Sequence, residues 1–396
     1  MTPNLFTKKL SRRKLVLASA AGVAGAGLAG LHLASPPRPA FAETTPWTGD
    51  VPAASRSSRQ MATAALAFVS SLEPEKIGRV VYPDLANAAR TKWSNFPAGA
   101  SPRAGLALSE LTDAQRVLMH NLLRASTSSQ GYLKATGAMR ADDLLSESEN
   151  NNTLFGSANY YTSVYGNPQD SAWAWMLTGH HMSVMFTVAG DRTAFTPMFT
   201  GAQPLQATSG LSAGWQSLPQ EASRGGELLS SLSGDQKGTA VIAAAAPGDV
   251  IAGPARQQGI TEYAGIPTGK LDDGQQHLLW LLIQEYVRNA DFDAAEAQLS
   301  LIQDGWKDTH FAWMGPAPAP DARFYYRVHG PRILIEYDVQ DPLTKDGGHV
   351  HAITRDPTND YGADWLGLHY TETSSVGAGG GGAPGGPRGP QPAPTP

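Results

Sequence analysis

Cysteine is absent from this chain of 396 residues. That excludes disulfides, thiolate zinc sites, iron–sulfur clusters and cysteine nucleophiles at once. Any metal must be held by imidazole, carboxylate or carbonyl groups, and any covalent nucleophile must be oxygen or nitrogen. Two catalytic signatures are missing too: there is no Walker loop and no His-Glu-x-x-His. No serine is singled out as a nucleophile, and the paired carboxylates Asp142-Asp143 and Asp272-Asp273 read as solvated helix ends.

A basic excess is lacking as well. Six of the 30 basic residues and none of the 35 acidic ones precede Glu43, which leaves 24 basic against 35 acidic residues, a net charge of −11, on the chain that follows. A nucleic-acid partner is not expected on that balance.

The first 42 residues read as an export signal. Ser11-Arg12-Arg13-Lys14-Leu15 precedes an Ala/Gly-rich apolar run from Val16 to Leu33, and Ala40-Phe41-Ala42 has the small-x-small form of a cleavage site. The twin arginine resembles the signal of the Tat pathway, which implies passage of a folded protein through the Tat machinery to a periplasmic or secreted location. The run is too short and too weakly apolar for a stable membrane anchor. Residues 43–59 read as an exposed lead-in, and residues 376–396, rich in Gly and Pro, as a disordered tail.

Between these ends, 41% hydrophobic content over the whole chain suits a large core. Helix signals open at Gln60, at Glu73-Pro74-Glu75 and at Thr112-Asp113-Ala114-Gln115, where caps, an early proline and first-turn acids precede apolar residues at helical spacing. The openings recur: Ser70-Ser71-Leu72 returns as Ser230-Ser231-Leu232, and Leu111-Thr112-Asp113-Ala114-Gln115 as Leu271-Asp272-Asp273-Gly274-Gln275. Tyr161 to Gly166 likewise resembles Tyr325 to Gly330, which sets Gly179-His180-His181 opposite Gly348-His349-Val350-His351. The expected fold is therefore α+β, one large domain over 60–375 made of two pseudo-symmetric helix-then-strand halves at about 60–205 and 224–370. Strands are expected at Ala172–Leu177, His181–Val188, Phe324–Val328 and Ile333–Tyr337.

The sharpest chemical signal is Gly347-Gly348-His349-Val350-His351. Residues two apart on a strand share a face, so His349 and His351 suit two imidazoles on one metal ion. Of the ten histidines, five fall in three blocks: His180 and His181, His310, and His349 and His351. The first two blocks supply candidates for further ligands. The repeat alignment selects His180, and the polarity of the strand neighbours Ser183 and Thr187 selects His181. Glu336 and Asp338 are candidates for a carboxylate ligand or supporting partner, and Arg355 and Asp356 for a substrate contact or an ion pair closing the strand. Histidines with a carboxylate and no sulfur suit zinc, copper or non-haem iron, and no organic cofactor is indicated.

The blocks Gly179-His180-His181, His310-Phe311-Ala312-Trp313 and His349-Val350-His351 with Arg355-Asp356 resemble those of a bacterial and fungal family known as domain of unknown function 3500 (DUF3500). The resemblance covers about Gln60 to Tyr370 and implies a single family domain with no second module. It implies no activity. Two functions are compatible with the residues: an exported metal-dependent enzyme, hydrolytic or redox, acting on a small-molecule or oligomeric substrate between the two halves, or a non-catalytic exported protein that binds a metal or small ligand there.

Overall fold

A computed structural model describes residues 55–256, 259–319, 322–340 and 348–378. The leader and most of the C-terminal tail lie outside the described residues, as does Gly347. In chain order the elements are α1 (Ser55–Ser70), α2 (Pro74–Val80), β1 (Val81–Tyr82), β2 (Leu106–Ala107), α3 (Asp113–Ser126), α4 (Ser129–Ser148), β3 (Tyr161–Tyr165), β4 (Ala172–Gly179), β5 (Met182–Ala189), β6 (Arg192–Ala194) and β7 (Met198–Ala202). They continue with α5 (Pro219–Ser231), α6 (Gly234–Ala240), β8 (Val241–Ala243), β9 (Ile266–Pro267), α7 (Asp273–Val287), α8 (Phe292–Asp304), β10 (His310–Met314), β11 (Tyr325–Gly330), β12 (Ile333–Gln340), β13 (His349–Arg355) and α9 (Ala363–Ala378).

The fold is α+β, and its strands form one 13-stranded mixed sheet with the main order β1-β3-β4-β5-β7-β13-β12-β11-β10-β8. Only the β1–β3 and β10–β8 pairs are parallel. The two runs of strands meet in the middle, where β7 and β13 pair antiparallel with Gly201 opposite His351.

Strand periodicity divides the side chains between two faces. On one, Trp173, Trp175, Leu177, Val184, Phe186, Ile335, Tyr337, Val328 and Trp313 pack with helical residues such as Phe68, Leu122, Leu279 and Ile283 into the main core. On the other, Met176, Met185, Phe199 and Ile353 pack against Trp93, Val250 and Tyr361, which lie in connecting segments. Both faces are covered, so β5 is buried at every position and reads in sequence as a nearly unbroken apolar run.

The helix openings at Pro74, Asp113 and Asp273 stand where the sequence puts them. Pro74 occupies the first turn of α2, and Thr112 and Asp272 cap α3 and α7 in capping boxes with Gln115 and Gln275. The amide Nε2 of each of these glutamines donates to a preceding carbonyl at 2.9 Å, Ser71 O in one run and Ser231 O in the other. The strand matches between the runs do not stand in equivalent places. Tyr161 begins β3, which pairs parallel with β1 just as β10 pairs with β8, whereas Tyr325 begins β11. Gly179-His180-His181 closes the β4–β5 hairpin, while His349 starts β13. Aromatic and β-branched strands look alike from one to the next, so the sequence match slipped by one strand. Two ends also differ: α1 begins at Ser55, with Ser57 and Ser58 buried, and α9 extends past Ser375 to Ala378.

Candidate metal centre

The site lies where β7 meets β13, on the face opposite the main core. His349 and His351 share that face of β13, as their spacing requires. The third histidine comes from the β4–β5 hairpin, where Gly179 pairs with Met182 and the turn consists of His180 and His181 alone. His181 adopts the left-handed region at φ 60°, and its carbonyl accepts the Gly201 amide at 2.6 Å. A side chain at 201 would be impossible without displacement: a Cβ there would stand 2.8 Å from Val350 O, 3.0 Å from His351 Cδ2 and 3.3 Å from His181 Cδ2. Glycine is what lets the His181 and His351 rings crowd together.

Their Nε2 atoms converge. His181 Nε2 stands 2.9 Å from His349 Nε2, which stands 3.1 Å from His351 Nε2. All three residues are buried, at 0%, 5% and 6% exposure. On the far side of the His351 ring, Nδ1 lies 2.8 Å from Asp249 Oδ1, 2.7 Å from the Gln340 amide nitrogen and 3.4 Å from that of Asn95. Burial alone would raise the Asp249 carboxyl, but the hydrogen bond and charge of His351, the Val250 amide and Arg256 together outweigh it and hold Asp249 below its ordinary value. An ionised carboxylate only accepts, so His351 Nδ1 carries the ring proton and Nε2 turns its lone pair to the cluster. Burial lowers His351, opposed by Asp249, and lowers His181 far more, with the neighbouring imidazoles adding to the effect. His181 Nδ1 is buried without a hydrogen-bond partner.

Beside this triad lies a second buried group. The His180 ring stacks on that of His181, with centroids 3.6 Å apart, and its Nδ1 meets Asp142 Oδ1 at 2.5 Å. Asp142 Oδ2 accepts the Gly156 amide at 3.0 Å, and burial raises its carboxyl above the usual range. Asp142 is thus a buried residue of α4, contrary to its reading as a solvated helix end, whereas Asp272 and Asp273 are exposed as expected. The alternation argument between His180 and His181 falls away because both occupy a turn. His181 groups with His349 and His351, and also with His180 and Asp142.

The remaining candidates stand elsewhere on the face. Asp338 is the register partner of His351; its carboxylate oxygens are buried without a well-formed hydrogen bond, and burial, then Asp249 and Glu336, push it up to about 7. Glu336 is fully used, accepting from Ile251 N, Ala252 N and Tyr325 Oη at 2.6, 2.8 and 2.8 Å. Arg355 and Asp356 do not pair with each other. Arg355 binds Asp360 Oδ2 at 2.5 Å and the Ala252 and Gly253 carbonyls, while Asp356 binds Arg332 and Gln298. These contacts pin the segment that carries Asp249. His310 is not part of the site: it lies on β10, three strands from β13, beside His329 in register and flat against Tyr263.

Asp249, Gln340 and Asn95 went unnoticed in the sequence, and Asp142 was read only as a solvated helix end. Asp142 had a signal, since it occupies the apolar stripe Ala135, Ala138, Met139 and Leu145 of α4. Asp249 and Asn95 lie in irregular segments, where no periodicity marks them.

A model of the protein family described as "Protein of unknown function (DUF3500)" matches residues 54–363, and the chain belongs to that family. No curated protein and no solved structure matches it.

Two predictions follow from this geometry. Gly201→Ala should weaken metal binding about tenfold or more without removing a ligand, measured by competition with a chromogenic chelator, because the new methyl pushes the two rings apart. His329 is lowered from 6.5 to about 4, by burial first and by the charge of Arg327 second. Its ring is neutral in the folded protein and takes up a proton more readily when unfolded, so it stabilises above pH 6.5 and that contribution is lost as pH falls towards 4. Thermal melts across that window should show a shallower fall in Tm for His329→Gln than for the unaltered protein.

Proposed function

We propose that this protein is an exported metal-dependent enzyme whose ion is held by the Nε2 atoms of His181, His349 and His351. The observation that carries the reading is the convergence of three buried imidazole nitrogens at 2.9 and 3.1 Å. Three such nitrogens cannot satisfy one another. His351 Nε2 has no proton to give, and His349 Nε2 has at most one to share between two neighbours. A cation at the centre satisfies all three, and ligands about 2 Å from one ion stand roughly 3 to 3.5 Å apart.

The donor chemistry fits a borderline transition metal. Imidazoles without sulfur suit zinc, copper or iron. Asp249 fixes the tautomer and orientation of His351 and makes its Nε2 a better donor, the usual carboxylate–histidine arrangement behind a metal ligand. Among the described residues, no fourth His or carboxylate groups with His181, His349 and His351. Three protein ligands with a position left over is the pattern of catalytic rather than structural ions, and this favours an enzyme over a storage or carrier protein. Such an ion supplies an activated water or a redox couple, and its identity separates the hydrolytic from the redox reading.

Export rests on the leader: the twin arginine, the apolar run to Leu33 and Ala40-Phe41-Ala42 indicate Tat passage to the periplasm or beyond. A route that carries folded proteins accords with an ion buried in the fold. We also infer an internal duplication, supported by the matching helix caps and by the repeated order of helices and strands.

The test is elemental analysis of the protein purified without a His-tag. The unaltered protein should carry about one transition-metal ion per chain and His351→Ala should carry almost none. Asp249→Asn should retain the site but bind about 10–100-fold more weakly. A stoichiometry unchanged in His351→Ala would sink the assignment.

A further inference from the structure

The polar face continues beyond the histidine triad to β11, where Arg327 and His329 alternate with core residues and point the same way. Both are buried, at 7% and 4% exposure. Arg327 and Arg355 are the two buried arginines among the described residues, and they are treated very differently. Arg355 is closed by the Asp360 carboxylate and two carbonyls. Arg327 forms no ion pair among the described residues; its polar contacts are neutral, the Glu262 carbonyl at 3.5 Å and the nearby Tyr325 hydroxyl.

The nearest carboxylate by register, Glu336, is not available to neutralise it. Both Glu336 oxygens are taken by the amides of Ile251 and Ala252 and by Tyr325. Arg327 Nε is buried without a partner, and so is Nδ1 of His329 two residues along the same face. A guanidinium is charged at any accessible pH, and a buried charge without a counter-ion is costly. Two orphaned nitrogens side by side therefore mark a place where a negative group is missing. The rim is partly exposed: His310 pairs with His329 across β10, and Tyr263, 45% exposed, lies flat on His310 and edge-on to His329 with centroids 5.4 and 4.5 Å apart.

We propose that Arg327 and His329 form a binding site for a small oxyanion, the carboxylate or phosphate group of a ligand, entered past Tyr263 and separate from the histidine triad. The guanidinium fork offers paired donors to two oxygens, the geometry that carboxylate and phosphate share. The arriving anion's charge favours uptake of a proton from solvent by His329, which then donates to one of the same oxygens. The long 3.5 Å contact to Glu262 is the one the anion replaces. His310 and Tyr263 then supply the flat walls against which the rest of a ligand lies.

The test is a pair of titrations on the full chain in Tris chloride, one with inorganic phosphate and one with sodium acetate, read by thermal melting and by calorimetry. The unaltered protein should gain at least about 2 °C in Tm at saturating anion, and the anion with the larger gain identifies the source. Arg327→Met should lose the gain, and Arg327→Lys should weaken binding about tenfold, because a point charge replaces the fork. If Arg327→Met does not fold, loss of the gain in His329→Gln serves in its place. No shift and no heat with either anion would overturn the proposal, as would a gain that persists undiminished in the variants.

Discussion

Everything specific about this protein depends on one antiparallel seam. Five residue pairs between β7 and β13 join two runs of strands into a single sheet, and they set Gly201 against His351. Without that seam His181, on the β4–β5 hairpin, and His349 and His351, 168 and more positions later, belong to different ends of the chain. With it, the Gly201 amide holds the His181 carbonyl, and the missing side chain at 201 opens the space that the rings occupy. The backbone hydrogen bond from Gly201 to His181 and the pairing of Gly201 with His351 thus belong to the fold and to the site at once.

The two faces of that sheet do different work. The face under the helices carries the aromatic and aliphatic core and supplies most of the apolar burial. The other is lined by His351, Asp338, Glu336, Arg355, Arg327 and His329, all buried beneath connecting segments. Buried polar groups are costly unless paired. Glu336 accepts from the Ile251 and Ala252 amides and from Tyr325, and Arg355 donates to the Ala252 and Gly253 carbonyls and to Asp360, so both help hold the segment that follows Asp249, which is a structural role. The triad and Arg327 with His329 are places where that economy fails, with buried nitrogens of His181, Arg327 and His329 left without partners, and those are where ligands are argued to bind.

How much of this the sequence disclosed follows from which signals are local. Helix caps are local, and Thr112 with Gln115 and Asp272 with Gln275 marked their helices correctly. Strand faces are local too, so His349 and His351 could be placed together from spacing alone. The third candidate ligand could not. His181 was assigned to a strand, where alternation would set it against His180, and instead the pair forms a turn whose left-handed φ at 60° frees it from that rule. The strand half of the repeat alignment failed because β-strands are chemically alike, and His310 was drawn towards the site by block resemblance when its strand lies three places away. Asp142 could have been found as a charge on an apolar stripe, but Asp249 sits in a segment with no period, and only the folded chain brings it to His351.

The most direct test of the central claim is the anomalous-difference map of a crystal grown or soaked with zinc. One peak about 2 Å from Nε2 of His181, His349 and His351 is the expected result. A peak on Asp142 and His180 instead, or no peak near the three rings at saturating zinc, would contradict it.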